Sequence, residues 1–485
     1  MINLIGNELK KIFKKKTIYI LLIIIVGYIL LSNIMIKITD NGYQYYYYYE
    51  GDIEYYETSL SELDPNNAAD LSTYVDFKTQ IELLNLTKEY GNNSWQAYVI
   101  NNMLSSYVNT IITHEYSDEI TESAYNEAKT SYDTAIEKLN SDDWKYFVNE
   151  DLEYINNSLE EQYALKETTT DRQTLSSIDS MIYDLEVQKQ VDEWRLEKNI
   201  SYAPNFLNNA LEQYANSQTS LKEYENVNID DLSSDELQYY QSILEEANLN
   251  RYYIENMVSL DSLSRDTFLN LFGNYELFIL IVGIVIAGSI VSEEFNRGTI
   301  KLLLVKPYNR IKILLSKFIV CMIILVLTIA FIYTFQLVVG GIINGFDGLS
   351  TPAIVYNFET KNVETMNLLA YVALVGLCKL PIYILLVTLA FACSTIFTNT
   401  ALAVALPFLG YIASSLINQL CLAYDIKQII YFVTPNWDLT QYLFGGIPMF
   451  SEMSLPFSII VCLVYLVIML VVSCTVFKRR DIKNI

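Results

Sequence analysis

Apolar and polar positions along this chain are sorted into long blocks. Thr17–Ile36 reads TIYILLIIIVGYILLSNIMI, twenty residues without a charge. As a helix, that length crosses about 30 Å of hydrocarbon. Five further apolar stretches follow at about 273–292, 318–340, 368–392, 401–422 and 456–477. A short uncharged turn near Phe397–Thr400 joins the fourth and fifth and predicts a tight hairpin. Between the first two stretches the pattern changes: Leu152, Ile155, Leu159 and Tyr163 step by three and four, as do Ile178, Met181, Ile182 and Leu185. That spacing predicts amphipathic helices, and the polar stretch Thr168–Asp171 can turn one back on the other.

This insert spans residues 38–270. It holds glycine only at Gly42, Gly51 and Gly91 and proline only at Pro65 and Pro204. An all-β sandwich would need turn residues every 8–12 positions, so the insert is expected to be a helical bundle or a coiled-coil hairpin. The expected fold is therefore an all-α membrane protein of six transmembrane helices, both termini cytoplasmic, with a large extracytoplasmic helical domain between helices 1 and 2. In residue terms it divides into an amphipathic helix at 1–16, the first span at 17–36, the helical domain at 37–270 and a five-helix membrane domain at 271–485. A cleaved signal peptide would compete with the first span, but its apolar stretch is about 7–15 residues and ends in small residues; an uncleaved anchor fits better.

Charge supports the orientation. The chain has mean hydropathy +0.22 and 52% hydrophobic residues, yet a net charge of −24. Lys10, Lys11, Lys14, Lys15 and Lys16 precede the first span. Arg297, Lys301, Lys306, Arg310, Lys312 and Lys317 fall between the second and third, and Lys478, Arg479, Arg480 and Lys483 follow the last. Six spans place these segments on one side, the cytoplasm by the positive-inside rule. They carry 15 Lys and Arg against Glu8, Glu293, Glu294 and Asp481, while 17 bases and 52 acids lie elsewhere. The acidity belongs to the outer insert. It can attract a cationic peptide or an accessory extracytoplasmic protein, or simply solvate an exposed domain.

Such a chain is a poor partner for duplex nucleic acid. One histidine, His114, argues against histidine-based metal or general-base chemistry. The six cysteines (Cys321, Cys378, Cys393, Cys421, Cys462, Cys474) lie in or beside spans without a C-x-x-C pair, so neither a zinc nor a redox site is expected. No catalytic residue and no cofactor are called. The tyrosine run Tyr45–Tyr49, with Tyr43, Tyr55 and Tyr56, reads as an aromatic surface or as a helix start at the membrane interface, where tyrosine sits well.

Two inner segments look purposeful. In residues 1–16, Ile2, Ile5, Leu9, Ile12 and Phe13 share one helical face and Asn3, Asn7, Lys10, Lys11 and Lys14 lie off it, a pattern suited to the membrane surface. The loop 292–317 reads SEEFNRGTIKLLLVKPYNRIKILLSK, with Gly298 allowing a break and Pro307 ending a short helix. Here the chain resembles ABC-2 type ABC transporter permeases. The resemblance is carried by Glu293, Glu294, Arg297, Gly298, Thr299, Leu302, Leu303, Pro307, Arg310, Leu315 and Lys317, and by the ending Phe477–Ile482. The stretch Tyr431–Leu443 is similar to their external segment before the last span, and Trp194–Ile200 (WRLEKNI) to a motif in the outer domains of members with large insertions.

The resemblance implies a permease subunit, an exporter, that dimerises with a second copy or a paralogue beneath a pair of cytoplasmic ABC ATPases. It further implies that residues 1–16 and Glu293, Glu294, Arg297, Gly298, Thr299, Lys306, Pro307 and Arg310 contact the ATPase. Consistently, no G-x-x-x-x-G-K-[ST] motif occurs in the chain, so ATP would be bound and hydrolysed by a partner. The alternative is an ATPase-independent membrane receptor or scaffold that uses its outer helical domain.

Within the spans, Lys379 is the one deeply placed base, two residues before Pro381. A central lysine costs about 2.5–3.5 kcal/mol on insertion scales. It either lines a cavity, where it meets substrate or pairs with Glu276 of the second span, or snorkels or faces water at a proline kink. Gly283 and Ala287 form a small-xxx-small helix-packing face. The aromatic stretch Ala423–Pro456 predicts short helices at the outer leaflet.

Overall fold

A computed structural model describes residues 1–39, 51–260, 263–299 and 309–480. The run Tyr45–Tyr49 with Tyr43, the loop residues Lys301, Lys306 and Pro307, and the terminal Asp481, Ile482 and Lys483 lie outside the described residues. The chain divides into two compact units. One comprises Met1–Asp40, Asn228–Ser242 and Ser262–Ile485; the other comprises Asn41–Val227 and Ile243–Asp261. Residues 228–242 and 262–270 of the insert thus group with the apolar helices.

In the first unit, six helices are long and apolar enough to cross a membrane. In chain order they are Lys16–Thr39, Leu271–Ser289, Arg310–Asn344, Leu368–Ile396, Thr400–Ala423 and Leu455–Arg479, called the first to sixth apolar helices below. The first, fifth and sixth show apolar side chains outward, among them Ile23, Leu409, Leu416, Ile460 and Val467. An aqueous surface would not hold so many large apolar residues together; hydrocarbon would. The third helix runs 35 residues, beyond the expected 318–340. Between the fourth and fifth, Asn399 Oδ1 accepts the Ala401 amide at 2.8 Å and caps the fifth, as a tight turn requires.

The second apolar helix is the most enclosed of the six. A Cβ on its Gly283 would lie 2.6 Å from Val387 Cγ2, and one on Gly288 2.8 Å from Val404 Cγ2 and 3.0 Å from the Ala403 carbonyl. The missing side chains let the fourth and fifth helices approach. Ala287, between these glycines, is fully buried, so this face packs helices together.

A polar tie holds the first helix to the third. Asn33, fully buried, donates to Gln336 Oε1 at 2.9 Å and to the Ile29 carbonyl at 2.7 Å. Its own Oδ1 accepts Gln336 Nε2 at 3.2 Å and Asn344 Nδ2 at 3.0 Å. Tyr275 of the second helix donates to the same Gln336 oxygen at 2.7 Å. Amide pairs of this kind satisfy each other where no water is present.

The sequence reading passed over residues 341–367, which hold a two-stranded antiparallel hairpin, β1 (Ala353–Asn357) and β2 (Asn362–Met366). Ala353 pairs with Met366 and Asn357 with Asn362. Asn357 Oδ1 accepts the amides of Glu359 and Thr360 at 2.9 and 3.2 Å, and Lys361 takes a left-handed φ of 53° to close the turn. The Ala423–Pro456 stretch carries two short 3₁₀ helices, Lys427–Tyr431 and Leu439–Gly445.

The second unit is helical. Its longest elements, Trp144–Thr168 and Arg172–Glu197, form the predicted antiparallel hairpin. The turn falls at 169–171, where Asp171 Oδ2 accepts the Thr174 amide at 2.9 Å and caps the second helix. Ile155, Leu159, Ile178 and Ile182 form the seam with Leu185. Three predicted seam residues do not join it, and one of them, Leu152, packs against a larger core instead. Met181 is exposed, and Tyr163, also exposed, donates its hydroxyl to Glu186 Oε1 at 2.6 Å. The larger core gathers Leu83, Val99, Ile100, Leu104 and Leu139 from the earlier helices and Val148 from the start of Trp144–Thr168.

Candidate functional site

The N-terminal helix is Ile2–Phe13. Its inner face holds Ile12 with Ile5 and Leu9 packed beside it, but also Glu8, which is buried. Ile2 and Phe13, expected on the apolar face, are exposed. The helix is rotated toward Glu8 because a base waits there. Lys317, in the third turn of the third apolar helix, is fully buried. Its Nζ lies 2.8 Å from Glu8 Oε2 and 2.9 Å from Glu294 Oε1, with the Ile290 carbonyl at 3.3 Å. Lys11 contacts the same two acids, Glu8 at 2.9 Å and Glu294 at 3.2 Å. Lys15 pairs with Glu293, which also holds Arg297 at 2.5 Å.

Burial works against ionisation of Glu8. The nearby Lys317 and Lys11 ammoniums outweigh it and hold its carboxyl below the usual carboxylate value. Burial likewise lowers Lys11, but hydrogen bonds and charge from Glu8 and Glu294 leave it raised. The cluster therefore favours the charged forms of Glu8 and Lys11 and leaves Glu294 Oε2 without a hydrogen-bond partner among the described residues. It joins the N-terminal helix, the short helix Ser292–Asn296 after the second apolar helix, and the start of the third.

Ser394 of the fourth apolar helix accepts the amides of Val291 and Ser292 at 3.1 and 2.9 Å, so the break that frees Glu293 and Glu294 is satisfied. Gly298 sits at φ +67° with open space around it, a conformation that favours glycine. Thr299 Oγ1 donates to the Glu294 carbonyl at 3.4 Å. Arg297 points outward, its side chain 71% exposed, while Glu294 at 14% is committed inward.

Arg310 is placed elsewhere: it donates to the Lys478 and Arg480 carbonyls, each at 3.4 Å. Arg480 in turn donates to the Thr395 carbonyl at 2.7 Å and lies 4.4 Å from the Phe295 ring centroid. The residues singled out in the loop thus split into an acidic group facing the N-terminal helix and a basic group facing the chain's end. In the sequence Glu8 stands only as an inner acid and Lys317 only as the basic close of the loop pattern; their pairing spans 309 positions and no local pattern marks it.

A second polar cluster lies near the other end of the second apolar helix, with roughly 25 Å of helix separating Glu276 from Glu293. Lys379 Nζ lies 2.5 Å from Glu276 Oε2 and 3.6 Å from Asp438 Oδ2. Tyr411 donates to Glu276 Oε1 at 2.9 Å. The pair of Glu276 and Lys379 is therefore made, and Asp438 and Tyr411, which sequence reading did not single out, complete it. Asp438 also caps its own 3₁₀ helix through the Thr440 amide at 3.0 Å. A cavity of about 740 Å³ opens beside this cluster, lined by Glu276, Tyr411, Ser414, Asn418, Trp437 and Asp438 among others.

In the second unit, the WRLEKNI motif builds a helix terminus. Arg195 is buried and donates to the Ile200 and Ser201 carbonyls at 3.3 and 3.1 Å and to Asn208 Oδ1 at 2.7 Å. Asn199 takes a left-handed φ of 56° to make the turn. Burial and the Asp151 charge push the Asp192 carboxyl up to about 7 against the pull of Arg195. Burial raises Asp151 to about 6 against the same arginine.

Residues 246–483 match a family model described as a protein of unknown function, DUF2705. Two relatives from Bacillus subtilis (strain 168) are similar. "Uncharacterized protein YhcI" is 30% identical over 238 residues, 49% of this chain and 75% of that protein. "Uncharacterized membrane protein YdbK" is 33% identical over 201 residues, 41% of this chain and 76% of that protein. No solved structure matches the chain significantly.

Proposed function

The chain belongs to the DUF2705 family, and on that premise we propose that it is the membrane-spanning permease subunit of an ABC-2 type ABC transporter, an exporter driven by a separate cytoplasmic ATPase. The observation that carries the reading is the buried Lys317 bridging Glu8 and Glu294. It makes the N-terminal helix, the segment 292–299 and the third span one mechanical piece. A partner pressing on the exposed Arg297 would move that piece, and with it three spans. The chain has no P-loop of its own, so the push has to come from another polypeptide. In this reading both termini and the loop 292–317 are cytoplasmic and the insert is extracytoplasmic. The permease works as a dimer with a second copy or a paralogue.

Co-expression with the ATPase encoded beside it, followed by purification in mild detergent, tests the proposal. The ATPase should co-purify, and Arg297→Ala should weaken the complex at least tenfold while leaving the thermal midpoint of the permease unchanged. If no ATPase is retained by the wild-type chain, the reading fails and an ATPase-independent receptor or scaffold takes its place.

A further inference from the structure

The charges around the end of the N-terminal helix fall into two tiers. The inner tier is balanced: Lys317 and Lys11 face Glu8 and Glu294. The outer tier is not. Lys15 and Arg297 share the one carboxylate of Glu293, and the exposed Lys14 makes no ion pair among the described residues. Three bases therefore meet one acid. Lys11, Lys14, Lys15 and Arg297 line a cavity of about 510 Å³ together with the three acids. The excess of positive charge sits on its accessible side, where the Arg297 side chain is 71% exposed and that of Lys15 32%.

A second, independent observation is what lies beside these bases. A cleft of about 330 Å³ adjoins the cavity and shares Ile12, Lys15, Ile290, Glu293 and Arg297 with it. The rest of its apolar wall is Ile18, Val285, Ile286 and Val404, from the first, second and fifth apolar helices. The first and fifth carry Ile20, Ile24, Leu402 and Leu406 exposed, so the cleft lies between two helices that hydrocarbon would cover. A soluble anion would use the bases and leave the apolar wall empty. An amphiphile with an anionic head uses both. Arg297 offers a planar fork that matches phosphate oxygens, and the lysines add point charges. Basic pockets between spans at a membrane face suit lipid headgroups of this kind.

We propose that this cleft binds one anionic phospholipid, with its phosphodiester on Lys14, Lys15 and Arg297 and an acyl chain along Ile18, Val285, Ile286 and Val404. The bound lipid ties the N-terminal helix to the segment 292–299 at the membrane face, as Lys317 does in the interior. A zwitterionic lipid offers the same chain but no net charge to answer the excess. The site goes beyond the permease reading and fills without an ATPase, so it stands or falls separately.

The test uses the full chain in neutral detergent, without ATPase, and native mass spectrometry to count bound molecules. Three probes are titrated: dioctanoyl phosphatidylglycerol, dioctanoyl phosphatidylethanolamine and glycerol phosphate. Phosphatidylglycerol should bind at least tenfold more tightly than either of the others. Lys14→Gln and Lys15→Gln should each weaken it about fivefold, as the loss of one base near a headgroup predicts. Lys10→Gln, on the same helix but lining neither cavity, should leave it unchanged. Ser289→Trp, which fills the cleft, should abolish it. Lys14 is exposed and outside any described ion pair, so its variant keeps the test decisive if Ser289→Trp fails to fold. Equal binding of the two lipids, or equal weakening by Lys10→Gln and Lys14→Gln, would overturn the proposal. So would a folded Ser289→Trp that still binds phosphatidylglycerol, or glycerol phosphate binding as tightly as the lipid, which would make this a soluble-anion site.

Discussion

Lys317→Met removes the base that two buried carboxylates share. Lys317 is fully buried and Glu8 and Glu294 are nearly so, with side chains 9% and 14% exposed. Breaking a buried pair by deleting one partner costs about 3–5 kcal/mol, because the other charge is left uncompensated. Lys11 touches the same two acids but is 52% exposed, and an exposed partner contributes about 0–1 kcal/mol. Lys317→Met should therefore favour local opening by roughly 150- to 5,000-fold, and Lys11→Ala by less than about fivefold. Cys321, one turn beyond Lys317 and buried, reports the opening. With the other five cysteines replaced by serine, the rate at which a permeant maleimide labels Cys321 follows the opening equilibrium when closing is fast. The two variants labelling at similar rates would refute the claim that burial makes Lys317 the keystone. pH gives a second check. The Glu8 carboxyl is depressed below 4.5, so its contribution is complete above that value and is lost as pH falls through the folded pKa. The advantage of the wild type over Glu8→Gln should vanish in that acidic range and persist at pH 7.

Three further outcomes are expected. Asp192, raised to about 7, and Asp151, raised to about 6, bind protons more tightly when folded, so their contribution to the second unit's stability is full below about pH 4 and is lost as pH rises to 7; Asp192→Asn should remove part of that pH dependence in thermal melts of the full chain followed by tryptophan fluorescence. Asn33→Ala leaves Gln336 and Asn344 short of a partner and should cost about 1–3 kcal/mol, seen as a lower thermal midpoint in detergent; an unchanged midpoint would mean the tie contributes nothing. A Cβ on Gly348 would lie 2.2 Å from the Arg265 amide nitrogen and 2.4 Å from Ser264 Oγ, so Gly348→Ala should sharply reduce the yield of monodisperse protein, whereas Gly6→Ala, with nothing within 4 Å, should not.

What the sequence disclosed follows from the range of the signals. Apolar runs of span length are local, so the six helices were legible, as was the Trp144–Glu197 hairpin from its three-and-four spacing and its polar turn. The Ala353–Met366 hairpin was passed over because its short strands sit between two apolar runs that dominate the pattern. At the candidate site, Glu293 and Glu294 were visible as unusual charges in a basic segment and Arg297 through the family resemblance. Glu8, Asp438, Tyr411 and the pairing of Lys317 were not, since each acquires its meaning from a residue more than 20 positions away. Helical periodicity of residues 1–16 put Ile2 and Phe13 on an apolar face suited to the membrane surface, where they are exposed, but gave no sign that Glu8 is buried. Electrostatic demand at Lys317 outranks the apolar stripe there, which no hydropathy pattern expresses.

The two ties of the N-terminal region to the third apolar helix also set a schedule for biogenesis. Glu8 is completed by a residue 309 positions later and Asn33 by one 303 positions later. At about 5–20 residues per second of synthesis, the N-terminal region waits roughly 15–60 s with Glu8 and Asn33 holding only their local partners, Lys11 and the Ile29 carbonyl. During that interval the whole helical insert has been made and has had time to fold. A chain broken off before Gln336 never acquires the partner of Asn33, so a truncated product carries an exposed amide inside the membrane while a finished one conceals it. Quality control that recognises unpaired polar groups in lipid can therefore distinguish complete from incomplete copies of this protein by Asn33 alone.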